Sequence, residues 1–279
     1  LIQPGAIASA MILVSGAAHA IVNGVLKSGK DKMSSRALID GFSALMVAPF
    51  VVFLPVPIHA WPWLLGSLVD HLFYLYCLIK AFEAADMSVA YPIARGAAPV
   101  LAALMAVLIF YEKASWIVAS GVAMVSVGVI VVGLGRHASR RSIAWALATG
   151  ATIAVYTVLD AQGVRAAPSA PSYIAWFFLV VGVSIGGLFA IWRGPTFILE
   201  ARSQWRPGLI AGALSIVSYG LAMWAFRLGA TPKLAALRET SILFGVGIAV
   251  VFLKEKVTGP RLAGVATIAA GAMVLLASG

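Results

Sequence analysis

The stretch YPIARGAAPV, residues 91–100, sets Arg95 between Pro92 and Pro99. From Met87 to Tyr111 no other side chain carries a charge. An ionisable group in hydrocarbon costs at least about 2.5–3.5 kcal/mol, so it must face a cavity, find a partner or reach back to water. Arg95 stands about seven residues into its apolar run, or roughly 10 Å deep at a helical rise. An arginine can snorkel part of that distance. Two chemistries follow. Arg95 either anchors its helix near the interface, or it holds a charge inside a cavity, on a substrate carboxylate or on a gate partner. A guanidinium suits the second role because its planar fork of donors matches a carboxylate. The surrounding face, Tyr91, Ala98 and Ala102, is small or amphipathic and leaves space. Pro92 and Pro99 free backbone carbonyls and permit bending.

Few other ionisable groups sit inside apolar runs: His19, Asp40, Asp70, His71, Asp160, Arg238 and Glu239. Thr149, Thr152, Tyr156 and Asp160 fall within about 80° on one helix face. That face offers an acceptor for a substrate ammonium, or hydrogen bonds between helices. Asp160 is close enough to the end of its run to be wetted. Asp70, His71, Tyr74 and Cys77 share an arc, and Ser15, His19 and Asn23 recur at a spacing of four. Histidine titrates near neutral pH, so His19 and His71 suit proton coupling or substrate binding as well as plain packing. No HExxH spacing accompanies them, so no metal site is expected. Tyr219 and Trp224, with Ser215 and Ser218, could line a pocket for an aromatic or aliphatic substrate, hold a cation through their ring faces, or simply pack. No GxxxxGK[ST] motif occurs, so neither ATP drive nor a cofactor is expected.

The elements that position these residues are membrane-spanning. Of 279 residues 62% are hydrophobic and only 11% charged, at a mean hydropathy of +0.99. Too few polar groups remain to cover a soluble globule, where about 25% are charged. Ten apolar runs stand roughly at 5–27, 36–56, 61–82, 87–110, 115–135, 142–164, 171–192, 207–228, 231–253 and 260–278, each near the 20 or so residues that cross a bilayer. Connectors as short as EKA at 112–114 leave no room for a soluble domain. A single cysteine, Cys77, excludes an internal disulfide. The net charge of +10 sits in connectors, which fits anionic lipid and membrane topology better than nucleic acid. Odd-numbered connectors hold Lys27, Lys30, Lys32, Arg36, Lys80, Arg136, Arg140, Arg141, Arg193, Arg202, Arg206, Lys254, Lys256 and Arg261. Even-numbered ones hold only Lys113, Arg165, Arg227 and Lys233. Positive residues favour the cytoplasm, so the odd connectors belong there and both termini lie outside, in the periplasm of an inner-membrane protein. No basic n-region precedes the first run, so no cleavable signal peptide is expected.

The two halves match each other at an offset of 143. Arg95 aligns with Arg238, Glu112 and Lys113 with Glu255 and Lys256, Gly121 with Gly264, Gly128 with Gly271, and Tyr76 with Tyr219. Residues 1–136 and 137–279 would each hold five spans. An odd number inverts the second half, the architecture of secondary transporters with a site near the midplane. The expected fold is all-α: ten spans in two inverted five-helix repeats around a central cavity. In such a frame Arg95 and Arg238 would guard opposite ends of one pathway. The first, third, fourth, sixth, eighth and ninth spans would line the cavity. The fifth and tenth carry Gly121/Gly128 and Gly264/Gly271 and no charge between 115–135 and 262–278, so they would stay peripheral or form a dimer seam.

A proline-containing span, then Glu-Lys, then a small-residue span, as in LIFYEKAS (108–115) and VFLKEKVT (251–258), resembles the EamA family of the drug/metabolite transporter superfamily. Within it the chain resembles the aromatic amino acid exporter (YddG-type) branch. The resemblance implies an exporter of small metabolites, amino acids foremost, acting as a monomer or homodimer on a small-molecule substrate in the lipid bilayer. The substrate-binding set would be His19, Asn23, His71, Tyr74, Tyr91, Arg95, Tyr156, Asp160, Tyr219, Trp224, Arg238 and Glu239. The second half departs from the pattern by placing Ile242 where Pro99 stands, so its hinge would differ. Export of cationic drugs is the alternative. A channel or an intramembrane enzyme fits less well, because a duplicated half has no purpose in the latter and no nucleophile motif accompanies the histidines.

Overall fold

The structure, a computed structural model, describes residues 3–28, 32–84, 87–133, 139–251 and 258–278. These are helical nearly throughout, with no strand among the described residues. In order they form α1 Pro4–Ser28, α2 Lys32–Val51, α3 Trp61–Ala84, α4 Met87–Leu108, α5 Trp116–Val132, α6 Arg140–Ala166, α7 Ala170–Arg193, α8 Pro195–Leu228, α9 Thr231–Arg238, α10 Ser241–Val251 and α11 Gly259–Ala277. A short 3₁₀ turn, Ile58–Ala60, precedes α3. The second Glu-Lys motif, Glu255 and Lys256, lies outside the described residues, as do Lys30, Arg136 and Lys254.

Among the described residues, seven segments are long and apolar enough to cross a bilayer: Pro4–Gly24, Ile58–Ala84, Ala90–Leu108, Arg140–Ala166, Ala170–Arg193, Ala201–Leu228 and Gly259–Ala277. Three of the ten expected runs differ, each for a local reason. The second, α2, carries Arg36 and Asp40, which pair at 2.7 Å one turn apart. The fifth, α5, is apolar but only 17 residues long. The ninth divides into α9 and α10 at Glu239–Thr240. No proline causes that break. Thr240 turns its hydroxyl back onto the Leu237 carbonyl at 2.7 Å, and Glu239 is drawn toward Arg95. The backbone tightens to three-residue bonds there, Glu239 N–H to Ala236 and Thr240 N–H to Leu237. By contrast α4 runs unbroken through Pro92 and Pro99, because a helix end is not needed where neighbouring helices support the freed carbonyls.

Serines set several starts. Ser115, Ser139 and Ser169 accept from the backbone N–H of Val118, Ser142 and Ser172 and so cap α5, α6 and α7. Gly194, at φ +54°, turns α7 into α8, a conformation glycine adopts without strain.

The packing pairs helices across the chain. α3 lies on α6 and α1 on α8; α2 lies on α7, and α5 on α11. The α5–α11 seam is built from glycines. A Cβ at Gly128 would come within 2.8 Å of the Gly264 carbonyl, and one at Gly271 within 3.0 Å of the Gly121 carbonyl. Close backbone approach of this kind is how helices associate in lipid, where no hydrophobic drive exists between them. The glycine faces, expected to pack each half or to form a dimer seam, meet each other within one chain. At one end of the bundle the segment before α3 meets α7, through Ser172 to the Pro55 carbonyl. The same end gathers the α4–α5, α6–α7 and α8–α9 connectors around Glu112.

Candidate functional site

Two layers of unusual side chains meet in the middle of the bundle. The first is charged. Arg95 on α4 and Glu239 at the α9–α10 break approach to 2.9 Å, Nε to Oε2, with side chains only 5% and 4% exposed. The N–H does not point along that line, so both atoms lack a directed hydrogen bond. The pair is held by charge and keeps bonding capacity in reserve. Arg95 also donates through Nη2 to the Ser241 hydroxyl at 3.1 Å, and its guanidinium lies 5.9 Å from the Tyr91 ring centre. Arg238, one residue before Glu239, is buried with its Nε unpartnered. Its guanidinium sits 4.6 Å over the Tyr219 ring. Arg95, Arg238 and Glu239, with Ala98, Ala102 and Thr157, line one small cavity.

The second layer is aromatic. His71 stacks on Tyr156 at 4.4 Å, and Tyr74 meets Tyr156 edge-on at 5.7 Å. Phe177 touches His71 at 5.6 Å and Tyr219 at 5.1 Å. His71 Nδ1 donates to the Ser67 carbonyl at 2.8 Å, which makes Nε2 the unprotonated nitrogen of the neutral ring. Behind Tyr219 lies Asp160, fully buried. It accepts from Tyr173 at 3.0 Å and from Tyr219 by a shorter bond. A carboxylate at this depth needs its lone pairs satisfied, and two phenols do so without a counter-charge.

Several expectations are corrected. Arg95 and Arg238, expected at opposite ends of one pathway, both line one small cavity. Glu239 faces Arg95 as its ion-pair partner. Asp160 is not wetted, since α7 and α8 cover it with Tyr173 and Tyr219. Trp224 is 40% exposed on the side of α8 turned away from buried Met223 and Ala225, outside the aromatic layer. Thr149 and Thr152 bond back to Trp145 and Thr149 carbonyls of their own helix, as hydroxyls in helices commonly do. Tyr76, the repeat partner of Tyr219, is 53% exposed and packs on Trp145 instead. His19 and Asn23 are half-buried on α1, and His19 is within electrostatic range of both arginines. The sequence reading missed α7: Tyr173 and Phe177 complete the cluster. In sequence they read as part of an apolar span, and only the packing of α7 turns them inward.

Residues 140–277 match the EamA-like transporter family. A solved structure described only as "Crystal structure of protein" is similar over 97% of this chain and 95% of its own, at a TM-score of 0.70 and 17% identity. That likeness is one of fold. No curated protein matches the chain.

Proposed function

We propose, from the premise that residues 140–277 are an EamA-like transporter domain, that this multi-pass membrane transporter of small molecules exports amphipathic metabolites, amino acids foremost and aromatic ones in particular. It would do so as a secondary transporter of the inner membrane, by alternating access. The frame would be two inverted five-helix halves, 1–136 and 137–279, with both termini in the periplasm. The reciprocal packing of α3 on α6 and α1 on α8 supports that frame, since an inverted repeat maps the contact of the third span with the sixth onto that of the eighth with the first.

One observation carries the substrate reading: the buried Nε of Arg238, unpartnered at the cavity and seated over Tyr219. Arg95 is already balanced by Glu239, so Arg238 is the receptor for a carboxylate. The rings of His71, Tyr74, Tyr156 and Phe177 suit the substrate's apolar side. Asp160, behind Tyr219, would take the ammonium once that ring swings aside. Half-helix ends near the midplane supply further polar backbone at such sites.

The test is counterflow in proteoliposomes, with labelled phenylalanine and a panel of unlabelled amino acids and organic cations as competitors. Saturable counterflow inhibited by amino acids, with the apparent affinity lowered about 30-fold or more in Arg238→Gln, is expected, since loss of one partner of a buried charge pair costs about 2–5 kcal/mol. Flux without counterflow would mean a channel. Inhibition by cations alone would move the reading to cationic drugs.

A further inference from the structure

Glu112 stands outside the cavity, on the connector after α4, yet it reaches the start of α9. It accepts from the Thr231 N–H at 2.8 Å through Oε2 and from the Thr231 hydroxyl at 2.8 Å through Oε1. Arg165, at the end of α6, donates to the same Oε1 at 2.6 Å. It also donates to the Thr231 hydroxyl at 3.0 Å and to the carbonyls of Phe226 and Gly229 at 2.9 Å each. The cap residue of α9 is Ala230, which has no side-chain bond to give. A helix start exposes unpaired N–H groups and a partial positive charge. Glu112 therefore supplies, from the first half of the chain, the cap that α9 lacks. The neighbouring Arg227 is a contrast: its bonds go to the backbone carbonyls of Val164, Ala167 and Pro168 and tie α8 to the α6–α7 turn.

α9 has eight residues and is a strut about 12 Å long. One end is held by Glu112; the other is Arg238, followed by the break that holds Glu239 against Arg95. Displacing α9 must disturb the closure and the charged cavity together. Glu112 and Arg165 are 13% and 26% exposed as side chains, at the rim where water can compete for them.

We propose that Glu112, Arg165 and Thr231 form a latch that closes the cavity toward the end of the bundle bearing the α4–α5 and α8–α9 connectors, and that α9 carries the state of the latch to Arg238. The proposal rests on the transporter reading, but its test needs no substrate. A cysteine at Ala98, which lines the cavity, is introduced on a Cys77→Ala background. Its reaction with an impermeant thiol reagent is timed in right-side-out and inside-out vesicles. Glu112→Gln keeps an acceptor for Thr231 but removes the charge facing Arg165. It should speed labelling from the Glu112 end about tenfold or more, the weight of one charge-assisted bond, and leave the opposite side unchanged. Thr231→Val, which removes one latch bond and no charge, should give a smaller rise from the same side. Unchanged labelling in both variants, or equal rises from both sides, would overturn the latch and leave the cluster as static cement. Loss of the transporter reading would instead show as failed counterflow with the labelling pattern intact.

Discussion

Replacing Arg95 with glutamine leaves Glu239, 4% exposed as a side chain, facing a neutral group across what is now a 2.9 Å ion pair. At an effective dielectric of about 20, opposite charges at this separation attract by roughly 6 kcal/mol. Removing one partner of a buried pair costs about 3–5 kcal/mol, most of it the penalty of the stranded charge. Glutamine keeps donors, so the lower figure applies, about 3 kcal/mol. If stranding is the cause, Glu239→Gln in the same chain should restore stability to within about 1 kcal/mol of the parent, because a neutral pair can be buried without counter-charge. The assay is unfolding by added SDS in mixed micelles, followed by tryptophan fluorescence, for the parent, both single variants and the double. The cycle isolates the coupling between the two sites. A double variant as unstable as Arg95→Gln alone, or an Arg95→Gln protein as stable as the parent, would refute the account and return Arg95 to a snorkelling anchor. In transport, Arg95→Lys should impair partly, since it keeps the charge and loses the fork that reaches Ser241 and Glu239 together.

Asp160→Asn should fold and insert, because the amide oxygen still accepts from one tyrosine hydroxyl and its NH2 can donate to the other, but it should weaken counterflow of zwitterionic substrates more than that of carboxylates lacking an ammonium. Gly128→Ala places a Cβ 2.8 Å from the Gly264 carbonyl and the Ile268 N–H; forcing α5 and α11 apart should cost about 1–3 kcal/mol in the same SDS titration, with substrate affinity unchanged. For topology, a cysteine at Ser139 should resist an impermeant reagent in intact cells and one at Ser278 should react, both on a Cys77→Ala background; the reverse pattern would invert the orientation.

Composition by itself determined the solvent. With 11% charged residues in 279, the chain had to bury its backbone bonds within helices in lipid; the skew of Lys and Arg among connectors proposes an orientation that the cysteine labelling tests. The match of Arg95 to Arg238 marked both as costly, and both line one small cavity. What the sequence left open depended on contacts between residues far apart. Which acid an arginine meets turns on a neighbour from another helix: Glu239, 144 positions along the chain, lies 2.9 Å from Arg95. The rotation of α7 brought Tyr173 and Phe177 inward, and that of α8 put Trp224 outward; a helix apolar on all sides gives no periodic signal of which face will be covered. The break at Glu239–Thr240 had no proline to announce it. There the Thr240 hydroxyl bonds back to the Leu237 carbonyl and Glu239 meets Arg95 of α4; the first contact is local, but the second forms only once the tertiary structure has brought α4 alongside.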